Sequence, residues 1–520
     1  DANETTVSFT NPTADRTITF PNATGNVAVF ATAPTTAISD GSAGQFLKTD
    51  GSGTLSFAAA GASLYAANED SPSAQPSATG ANAVAIGDGA VASGADSVAL
   101  GDKAYASGAD SFAFGSALNN GTYGARAEYA IALGRLTTVE ASYGVAIGSD
   151  QNGNGGKVGS SGNGAVALGG SYANGADSFA AAIATNSTSY GAQGSNSVAM
   201  SANALASGLG AFALGRNTTA SGADSLAFGS SAVASGANTL SIGSNTDATG
   251  NSSVAIGNTA QSVGAYSVSL GQAYASGTDS FAAAIGESSS SYGAKANETV
   301  AMGKRATVNG ANGIAIGGHT NTVSNSFGAA IGGRANTASG SYSVAIGGEF
   351  NYTDQDYGFA SGKYAKSKQI GSMARASGRF SSTGDAQGGY FVLRSDTTDA
   401  TAEALTTNNS SAASTNQIIL QNESAMTFTG TVVVREDATN GDDYAGWEIK
   451  GVIMRQGQAS DTTLGVGIVN SLYHTSGLAN AAVALSADTT NGGLKIQVTG
   501  IASTNLNWVA TVHTSEVVNA

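Results

Sequence analysis

The sequence predicts an all-β protein: a trimeric parallel β-solenoid, or β-roll, of 14-residue coils, with a small N-terminal β module and a C-terminal β-sandwich tip. Two observations carry this prediction. Glycine recurs every seven residues through the centre of the chain, and pairs of bulky apolar residues two apart precede alternate glycines. A spacing of two is strand geometry, because alternate side chains of a strand share a face. The 520 residues therefore divide into an N-terminal attachment module (1–60), a linker (61–79), a rod (80–380) and a tip (381–520).

The glycines of the rod are predicted to form the corners between short strands. Glycine adopts positive φ without steric cost, so each repeat glycine is expected to supply a corner. A coiled-coil heptad has the same period, but it needs apolar residues three and four apart and tolerates little glycine, since each Gly costs ~1 kcal/mol relative to Ala. The repeat thus indicates two strands and two turns per fourteen residues. The repeat glycines are Gly80, Gly87, Gly94, Gly101, Gly108, Gly115, Gly208, Gly215, Gly222, Gly229, Gly236, Gly243, Gly250, Gly257, Gly264 and Gly271.

The predicted coil is too thin to bury all of its apolar residues. One half of each unit carries a bulky pair, as at Val84 and Ile86, and the other half carries small residues, as at Ala90 and Ala92. Two short facing strands enclose one layer of side chains, which predicts that three parallel chains share the burial. One apolar set would pack inside each coil and the other toward the three-fold axis; the sequence leaves open which does which. About 21 coils at ~4.8 Å each predict a rod on the order of 100 Å long.

Inserts interrupt the repeat in similar surroundings. An eleven-residue interval separates Phe from Tyr three times, at Phe112 and Tyr123, Phe179 and Tyr190, and Phe281 and Tyr292. Each insert is expected to leave the rod as a loop without changing the register. The glycine-rich stretch 152–164 keeps the seven-residue spacing, from Gly148 to Gly169, and is predicted to be a degenerate coil.

Beyond residue 385 the repeat ends and longer alternating segments predict the strands of a β-sandwich. Both tryptophans, Trp447 and Trp508, fall in this region. The predicted strands cover residues 418–420, 431–435, 445–456, 463–469, 482–487, 494–498 and 506–513. The join between rod and tip holds a basic cluster, interpreted as a solvated collar with a polyanion site as the alternative, and formed by Lys363, Lys366, Lys368, Arg375 and Arg379.

Charge and residue types exclude several classes of function. Thirty-six acidic against 21 basic residues give a net charge of −15, which would repel nucleic acid. No cysteine and three histidines argue against thiolate or multi-histidine metal centres, and no cofactor is predicted. No apolar run approaches the ~18 residues of a spanning helix, so membrane insertion is not expected. Glycan hydrolysis needs paired carboxylates in a groove. The rod shows isolated aspartates and aromatic residues expected to face inward, so the chain is predicted not to be an enzyme.

The repeats resemble a known family. Residues 83–94 read Ala-Val-Ala-Ile-Gly-Asp-Gly-Ala-Val-Ala-Ser-Gly, and residues 97–108 read Ser-Val-Ala-Leu-Gly-Asp-Lys-Ala-Tyr-Ala-Ser-Gly. This sequence motif recurs over about 300 residues. The recurrence resembles the head of trimeric autotransporter adhesins, Gram-negative surface proteins whose heads are trimeric parallel β-rolls. The resemblance implies a homotrimeric adhesive rod. Residues 515–520 do not resemble the membrane-barrel anchor of that family.

Both flanking regions resemble tail fibres and other appendages of tailed phages. The similar segments are residues 5–30 and 44–57 at the N-terminus, and residues 384–387 (Gly-Asp-Ala-Gln), 390–394 and 447–455 in the tip. The resemblance implies a virion appendage whose N-terminal module binds other virion structural proteins and whose tip binds a host-cell receptor, either a glycan or an outer-membrane protein. A bacterial cell-surface trimeric adhesin is the alternative, and a glycan-degrading tailspike is a third hypothesis.

The candidate receptor-contact residues are aromatic or charged side chains in predicted tip loops: Tyr473, His474, Asp442 and Asp443. The acidic segment 436–443 offers oxygen ligands but lacks the spacing of a calcium loop, so no metal site is predicted there. The aspartates that follow the corner glycines, as at Asp96, are expected to cap their own turns, with a cation-binding ladder as the alternative.

Overall fold

A computed structural model describes residues 74–519 except 116–121, 150–154, 184–188, 287–289 and 440, together with strands Gln45–Thr49 and Leu55–Ala59 and residues 14 and 52. The chain forms two compact units, Asp1–Asn68 and Glu69–Ala520. In the first unit, Gln45–Thr49 pairs with Leu55–Ala59 as an antiparallel hairpin. The strands predicted within residues 1–30 lie outside the described residues.

The second unit begins with a solenoid of 20 coils, in which each coil adds one strand to each of two parallel ladders. The long ladder consists of Val84–Ile86, Val98–Leu100, Phe112–Phe114, Ile131–Leu133, Val145–Ile147, Val166–Leu168, Phe179–Ala181, Val198–Met200, Phe212–Leu214, Leu226–Phe228, Leu240–Ser244, Val254–Asn258, Val268–Leu270, Phe281–Ala283, Val300–Lys304, Ile314–His319, Ala329–Ile331, Val344–Glu349, Phe359–Lys363 and Met373–Ser377. The short ladder consists of Ser77–Ala78, Val91–Ala92, Tyr105–Ala106, Gly124–Ala125, Thr138–Val139, Lys157–Val158, Tyr172–Ala173, Gly191–Ala192, Leu205–Ala206, Thr219–Ala220, Val233–Ala234, Asp247–Ala248, Gln261–Ser262, Tyr274–Ala275, Gly293–Ala294, Thr307–Val308, Thr322–Val323, Thr337–Ala338, Tyr352–Thr353 and Lys366–Ser367. The predicted parallel β-solenoid is confirmed. Its first strand, Ser77–Ala78, lies within the segment predicted to be a linker.

Alanine fills the interior of the solenoid. Ala90 and Ala92 are fully buried and Ala85 is 6% exposed, whereas Val84 and Ile86, on either side of Ala85, point outward and are partly exposed. The same arrangement repeats along both ladders. The small set therefore packs inside each coil, which resolves the alternative left open above. An interior packed as densely as a protein core leaves space between two such close strands mostly for small side chains. The larger buried side chains of the solenoid core are Val139, Val158, Ile183, Ile285, Val308 and Val323.

The aromatic residues of the long ladder also point outward, so the expectation that they face inward is wrong. Phe114, Phe212 and Phe228 are 54%, 43% and 52% exposed. The narrow interior excludes a ring. The outward side chains of the long-ladder strands, from Val84 to Met373, form an apolar band along one face, called here the rod stripe.

Two turns close each coil, and they use glycine differently. In the turn after the long strand, Gly101 has φ of 103°, as predicted for a corner. In the turn after the short strand, a Cβ on Gly94 would lie 2.0 Å from the carbonyl oxygen of Gly108 in the next coil. Positive φ there falls two residues later, on Asp96 at 55°. The positive-φ prediction is thus wrong for half of the repeat glycines, which are needed instead because successive coils stack closely.

Corner side chains connect neighbouring coils. Asp96 Oδ1 accepts a 3.0 Å hydrogen bond from Nδ2 of Asn82, one coil earlier. Asp356 Oδ1 likewise accepts the backbone N–H of Ser341 at 2.8 Å. These bonds run between coils, whereas the sequence predicted caps within each turn. Asp and Asn suit the corners because they tolerate the left-handed conformation better than most residues.

The inserts leave the ladder intact. Across them Phe112 pairs with Ile131, Phe179 with Val198, and Phe281 with Val300. Residues 116–121, 184–188 and 287–289, within the inserts, lie outside the described residues. Each 19-residue coil therefore still adds one long-ladder strand, as expected.

Residues 155–164 form part of one coil that is longer than its neighbours. Val145 pairs directly with Val166, 21 residues on, and Lys157–Val158 is the short strand of that same coil. The described residues between Gly148 and Gly169 thus belong to one long, irregular coil, in agreement with the predicted degenerate coil. The longer coils also explain why there are 20 coils and not about 21.

The tip has nine strands: β1 (Ala386–Thr397), β2 (Ala402–Ala404), β3 (Ile418–Ile419), β4 (Ser424–Glu436), β5 (Tyr444–Arg455), β6 (Thr462–His474), β7 (Ala482–Asp488), β8 (Gly493–Thr499) and β9 (Leu506–Val518). A larger antiparallel sheet has the order β1-β9-β4-β5-β6. In a smaller sheet, β8 pairs with β7 on one side and with β2 and β3 on the other. The last rod strand, Met373–Ser377, pairs with β1, so the long ladder continues into the larger sheet.

The two sheets enclose one apolar core. The rings of Trp447 and Trp508 stack with centroids 5.5 Å apart, and Phe428 of the larger sheet shares the core with Leu494 and Ile496 of the smaller. In the described part of the chain, the helical segments are two 3₁₀ turns, Ala459–Asp461 and Ser476–Leu478. None of its helices has the length and apolarity to cross a membrane.

Three of the five residues of the basic cluster at the join form ion pairs, and Lys363, Arg375 and Arg379 are exposed, in agreement with the solvated-collar interpretation for those three. Lys363 lies 2.6 Å from Glu349, Lys366 lies 3.1 Å from Asp354, and Lys368 lies 3.3 Å from Glu516. The Lys368 and Glu516 side chains are only 13% and 6% exposed. Burial lowers the pKa of Lys368, against the opposing effect of the Glu516 carboxylate.

The Gly-Asp-Ala-Gln segment at 384–387 fastens the tip to the rod. The Gln387 side chain accepts the backbone N–H of Lys366 at 2.8 Å and donates to Glu516 Oε2 at 3.1 Å. The Asp385 carboxylate accepts three backbone N–H groups, from residues 380, 381 and 382. Burial alone would raise the pKa of Asp385, but these N–H groups lower it.

Candidate functional site

The end of the larger sheet opposite the rod, called here the far end, gathers polar and aromatic side chains. Strand β1 meets the rod at Gly388–Tyr390 and runs away from it to Thr397. At the far end β4 ends at Glu436, β5 begins at Tyr444 and β6 ends at His474. All four predicted contact residues lie here.

Pairing of β5 with β6 positions the aromatic members. Ala445 lies opposite His474, and Gly446 lies opposite Tyr473. The rings of Tyr444 and Tyr473 are tilted against each other with centroids 5.2 Å apart, and both are about half-exposed. Three hydrogen bonds join Tyr444 to Thr475: the Thr475 N–H and Oγ1–H donate to the Tyr444 carbonyl at 3.0 and 3.3 Å, and the Tyr444 N–H donates to Thr475 Oγ1 at 3.2 Å. The ring pair is therefore held by the main chain.

The acidic members lie beside this ring pair. Carboxylate oxygens of Glu436, Asp442 and Asp443 lie within 4.8 Å of one another, close enough to share a cation. The Glu436 N–H donates to the Asp443 carbonyl at 2.9 Å, which closes the loop. A Cβ on Gly477 would lie 2.0 Å from Asp443 Oδ2, so this glycine makes room for the carboxylate. Exposed acidic groups of this kind are common without a metal, and the described residues of the loop give no further indication of one.

A polar cleft of about 330 Å³, which was not predicted from the sequence, opens at the same end. Its polar lining includes Arg394, Asp396, Asn409, Asp437, Asn505 and Asn507. Asn409 Nδ2 donates to Asp396 Oδ1, and the Asp437 N–H donates to the Asn505 carbonyl at 2.8 Å. Buried Trp508, which also lines the cleft, donates from Nε1 to Thr397 Oγ1 at 3.0 Å. Such convergent polar groups suit hydroxyl-rich or charged ligands.

The cleft left little signal in the sequence. Its lining comes from residues 394–398, 409, 437 and 505–509, which only the fold brings together. The one local hint is the pair of asparagines at the start of β9, Asn505 just before the strand and Asn507 within it. Tyr473, His474, Asp442 and Asp443 could be proposed because they combine polar or aromatic chemistry with predicted loops; their role in contact stays a prediction.

The rod matches a known repeat. Eight segments match the YadA head domain repeat, and all of them lie within the solenoid: residues 78–104, 92–117, 125–150, 192–218, 220–246, 248–273, 294–320 and 330–349. The rod therefore contains segments similar to the YadA head domain repeat, and these repeats imply a homotrimeric, adhesin-like fibre. No match extends into the tip.

Two further comparisons add little. No curated protein matches the chain. The chain is similar to the tailspike protein of Acinetobacter baumannii phage AM24 at 10% identity, with 85% of this chain and 75% of that chain covered. The TM-score of that similarity is 0.15, which carries no argument about fold or function.

Proposed function

We propose that the chain is a trimeric adhesive fibre protein of a virion appendage. In this proposal the N-terminal module attaches the fibre, the solenoid sets its reach, and the far end of the tip binds a host-cell surface receptor without catalysis. The observation that carries it is the continuity between a rod of adhesin head repeats and a sandwich that exposes Tyr473, Asp442 and the polar cleft opposite the rod.

The rod stripe supports trimer formation. It places bulky apolar side chains on one outward face of 20 successive coils, while the interior is already filled by alanine. Soluble proteins rarely expose an apolar band of this extent, so a partner must cover it. Three copies related by a three-fold axis would do so along the whole rod. Three tips on one fibre then raise avidity without requiring strong single contacts.

Cell binding tests the proposal. We would label the full-length protein and measure its binding to a panel of Gram-negative cells and to their purified surface polysaccharides. Tyr473→Ala with His474→Ala should weaken binding to a recognised cell roughly tenfold or more, as loss of an aromatic anchor does at other interfaces. The matched control is Tyr266→Ala, which removes a rod tyrosine that is 61% exposed.

Two outcomes would contradict the proposal. One is unchanged binding by the tip variant with loss of binding by Tyr266→Ala, which would place adhesion on the rod. The other is release of reducing sugar from a recognised polysaccharide, which would favour a glycan-degrading tailspike.

A bacterial surface adhesin is the second candidate, and the match to adhesin head repeats is the observation that favours it. Immunogold labelling separates the two. Label on purified virions supports the appendage, and label on the envelope of uninfected cells supports the bacterial adhesin.

A further inference from the structure

The outward side of the tip continues the rod stripe without a break. In the pairing of the last rod strand with β1, Met373 lies opposite Tyr390 and Ala374 opposite Gly389. Residues directly opposite in an antiparallel pair point to the same side of the sheet. Because Ala374 faces the interior and Met373 is 41% exposed, Tyr390 lies on the side that carries the stripe. Tyr390 in turn contacts His513 of β9, with ring centroids 4.9 Å apart.

This side of the larger sheet carries most of the exposed large apolar side chains of the tip. It is called here the outward tip face, and its exposed apolar residues are Val392, Val433, Val452, Met454, Val466, Ile468, Val509 and Val517, with Tyr444 and Tyr473 on the same side at the far end. They are between 39% and 54% exposed. Between them lie threonines, as where Thr431 Oγ1 and Thr511 Oγ1 approach to 3.2 Å. Charged side chains also lie on this side, toward its edges and centre: Arg394, Asp396, Arg435, Glu448 and Lys450. Two of its charges, Lys450 and Glu448, pair with each other at 3.6 Å.

The smaller sheet differs sharply. Among the described residues, none of the large apolar side chains exposed on the tip lies on β2, β3, β7 or β8. That sheet faces solvent with small or polar side chains, such as Ala484. The outer side of the smaller sheet thus has the composition of a solvent-exposed surface, whereas the outward tip face has exposed apolar side chains that a partner could cover.

We propose that the outward tip face packs against two further copies of this chain, so that the tip is one three-fold module and not three independent sandwiches. The inference rests on the proposed trimer. A second copy is the occupant because the face is continuous with the rod stripe, where the head repeats imply contact between copies. A groove of about 420 Å³ crosses the join between Phe359, Met373, Tyr390 and His513, and gives a neighbouring copy an uninterrupted surface.

Single cysteines test this directly, because the chain has none of its own. We would prepare full-length Val433→Cys, Val452→Cys and Ala484→Cys and measure the rate of maleimide labelling. Within one chain, Val433 is 53% and Val452 is 44% exposed, and Ala484 is exposed on the smaller sheet. The expected result is labelling of the two outward cysteines roughly tenfold more slowly than Cys at 484, because interface cores exclude water as protein interiors do. In denaturant all three rates should converge.

The mass of each variant in solution makes the failures distinguishable. A three-chain mass with equally fast labelling at all three sites would overturn this inference and leave the trimer standing. A one-chain mass would overturn both the trimer and this inference. A three-chain mass with slow labelling at both outward sites, and retained tryptophan fluorescence, supports the three-fold tip.

Discussion

The side-chain amide of Asn351 donates a 3.1 Å hydrogen bond to Oδ1 of Asn336, one coil earlier, in the interior of the solenoid. Both side chains are fully buried. The Asn336 amide also donates to the carbonyl groups of Gly332 and Gly347, at 2.8 and 3.0 Å. Coils here have fifteen residues, with an added glycine in the turn. The longer turn points backbone carbonyl groups into the interior, and the asparagine amides donate hydrogen bonds to them.

Asn336→Leu should therefore destabilise the rod by about 2–4 kcal/mol, because it leaves more than one buried polar group without a partner. Chemical denaturation followed by circular dichroism measures the change. The control is Asn251→Ala, since Asn251 accepts a single exposed hydrogen bond, from the Ala237 N–H. Equal losses of unfolding free energy from the two variants would mean that burial of the asparagine side chains contributes nothing to stability.

Because alanine fills most of the solenoid interior, we expect a larger side chain at an interior position to destabilise the rod. Ala227 is fully buried between outward-facing Leu226 and Phe228. Ala227→Leu should cost about 1–3 kcal/mol or more, because a filled interior cannot accept the extra carbons without strain. Ser221→Leu is the control, at an exposed position where a later coil carries Val263. A thermal melt of Ala227→Leu that matches the wild-type protein would show that the interior is not packed as described.

Asp247 gives the rod a pH dependence. It lies in the short ladder, its Oδ1 is buried without a hydrogen-bond partner among the described residues, and burial raises its pKa above the ordinary 3.8. For a carboxyl whose pKa is raised by folding, the stabilisation is complete below the unfolded pKa and is lost as the pH rises through the folded pKa. Asp247→Asn should therefore raise the melting temperature at neutral pH, with the gain shrinking toward pH 4.

Melting curves across that pH range measure the effect. Asp224→Asn, at an exposed corner, is the control and should show no comparable gain. A gain from Asp247→Asn that is the same at acidic and neutral pH would contradict the assignment to charge burial.

Because Lys368 and Glu516 form a buried ion pair, we expect the tip to be destabilised when the lysine is replaced by an uncharged residue. Lys368→Met leaves Glu516 buried and uncompensated, and removal of one partner of such a pair costs about 3–5 kcal/mol. Both tryptophans of the chain lie in the tip core, so their fluorescence reports tip unfolding. The double variant Lys368→Met/Glu516→Gln should recover part of the loss.

Lys363→Met is the control for the same join. Its pair with Glu349 is short, at 2.6 Å, but the lysine side chain is 48% exposed, and exposed pairs contribute about 0–1 kcal/mol. An equal effect of Lys363→Met and Lys368→Met would show that burial of the Lys368 pair is unimportant.

Much of the fold follows from local patterns. Strands such as Val84–Ile86 and Val98–Leu100 pair in parallel because identical spacing brings identical positions into register. Alternation alone does not decide whether the small residues, such as Ala85, or the bulky residues beside them face the interior, because the pattern is compatible with both orientations. The narrow coil decides it. Asn336 could have been recognised from the fifteen-residue spacing of the Gly-Gly pairs and asparagines near the tip.

The tip shows where local patterns stop being informative. Strand β1 contains Gly388 and Gly389 near its start, and they interrupt the apolar alternation. The polar cleft combines Arg394, Asp437 and Asn507 from segments more than forty residues apart. Such a site depends on long-range pairing of β1, β9 and β4, which a single sequence does not specify.

The most direct measurement of the central claim is the mass of the intact protein in solution by multi-angle light scattering. The account predicts three times the 50.7 kDa of one chain, because the rod stripe must be covered along all 20 coils. A stable, soluble species with the mass of one chain would contradict it, and the adhesive trimer and the three-fold tip would fall together.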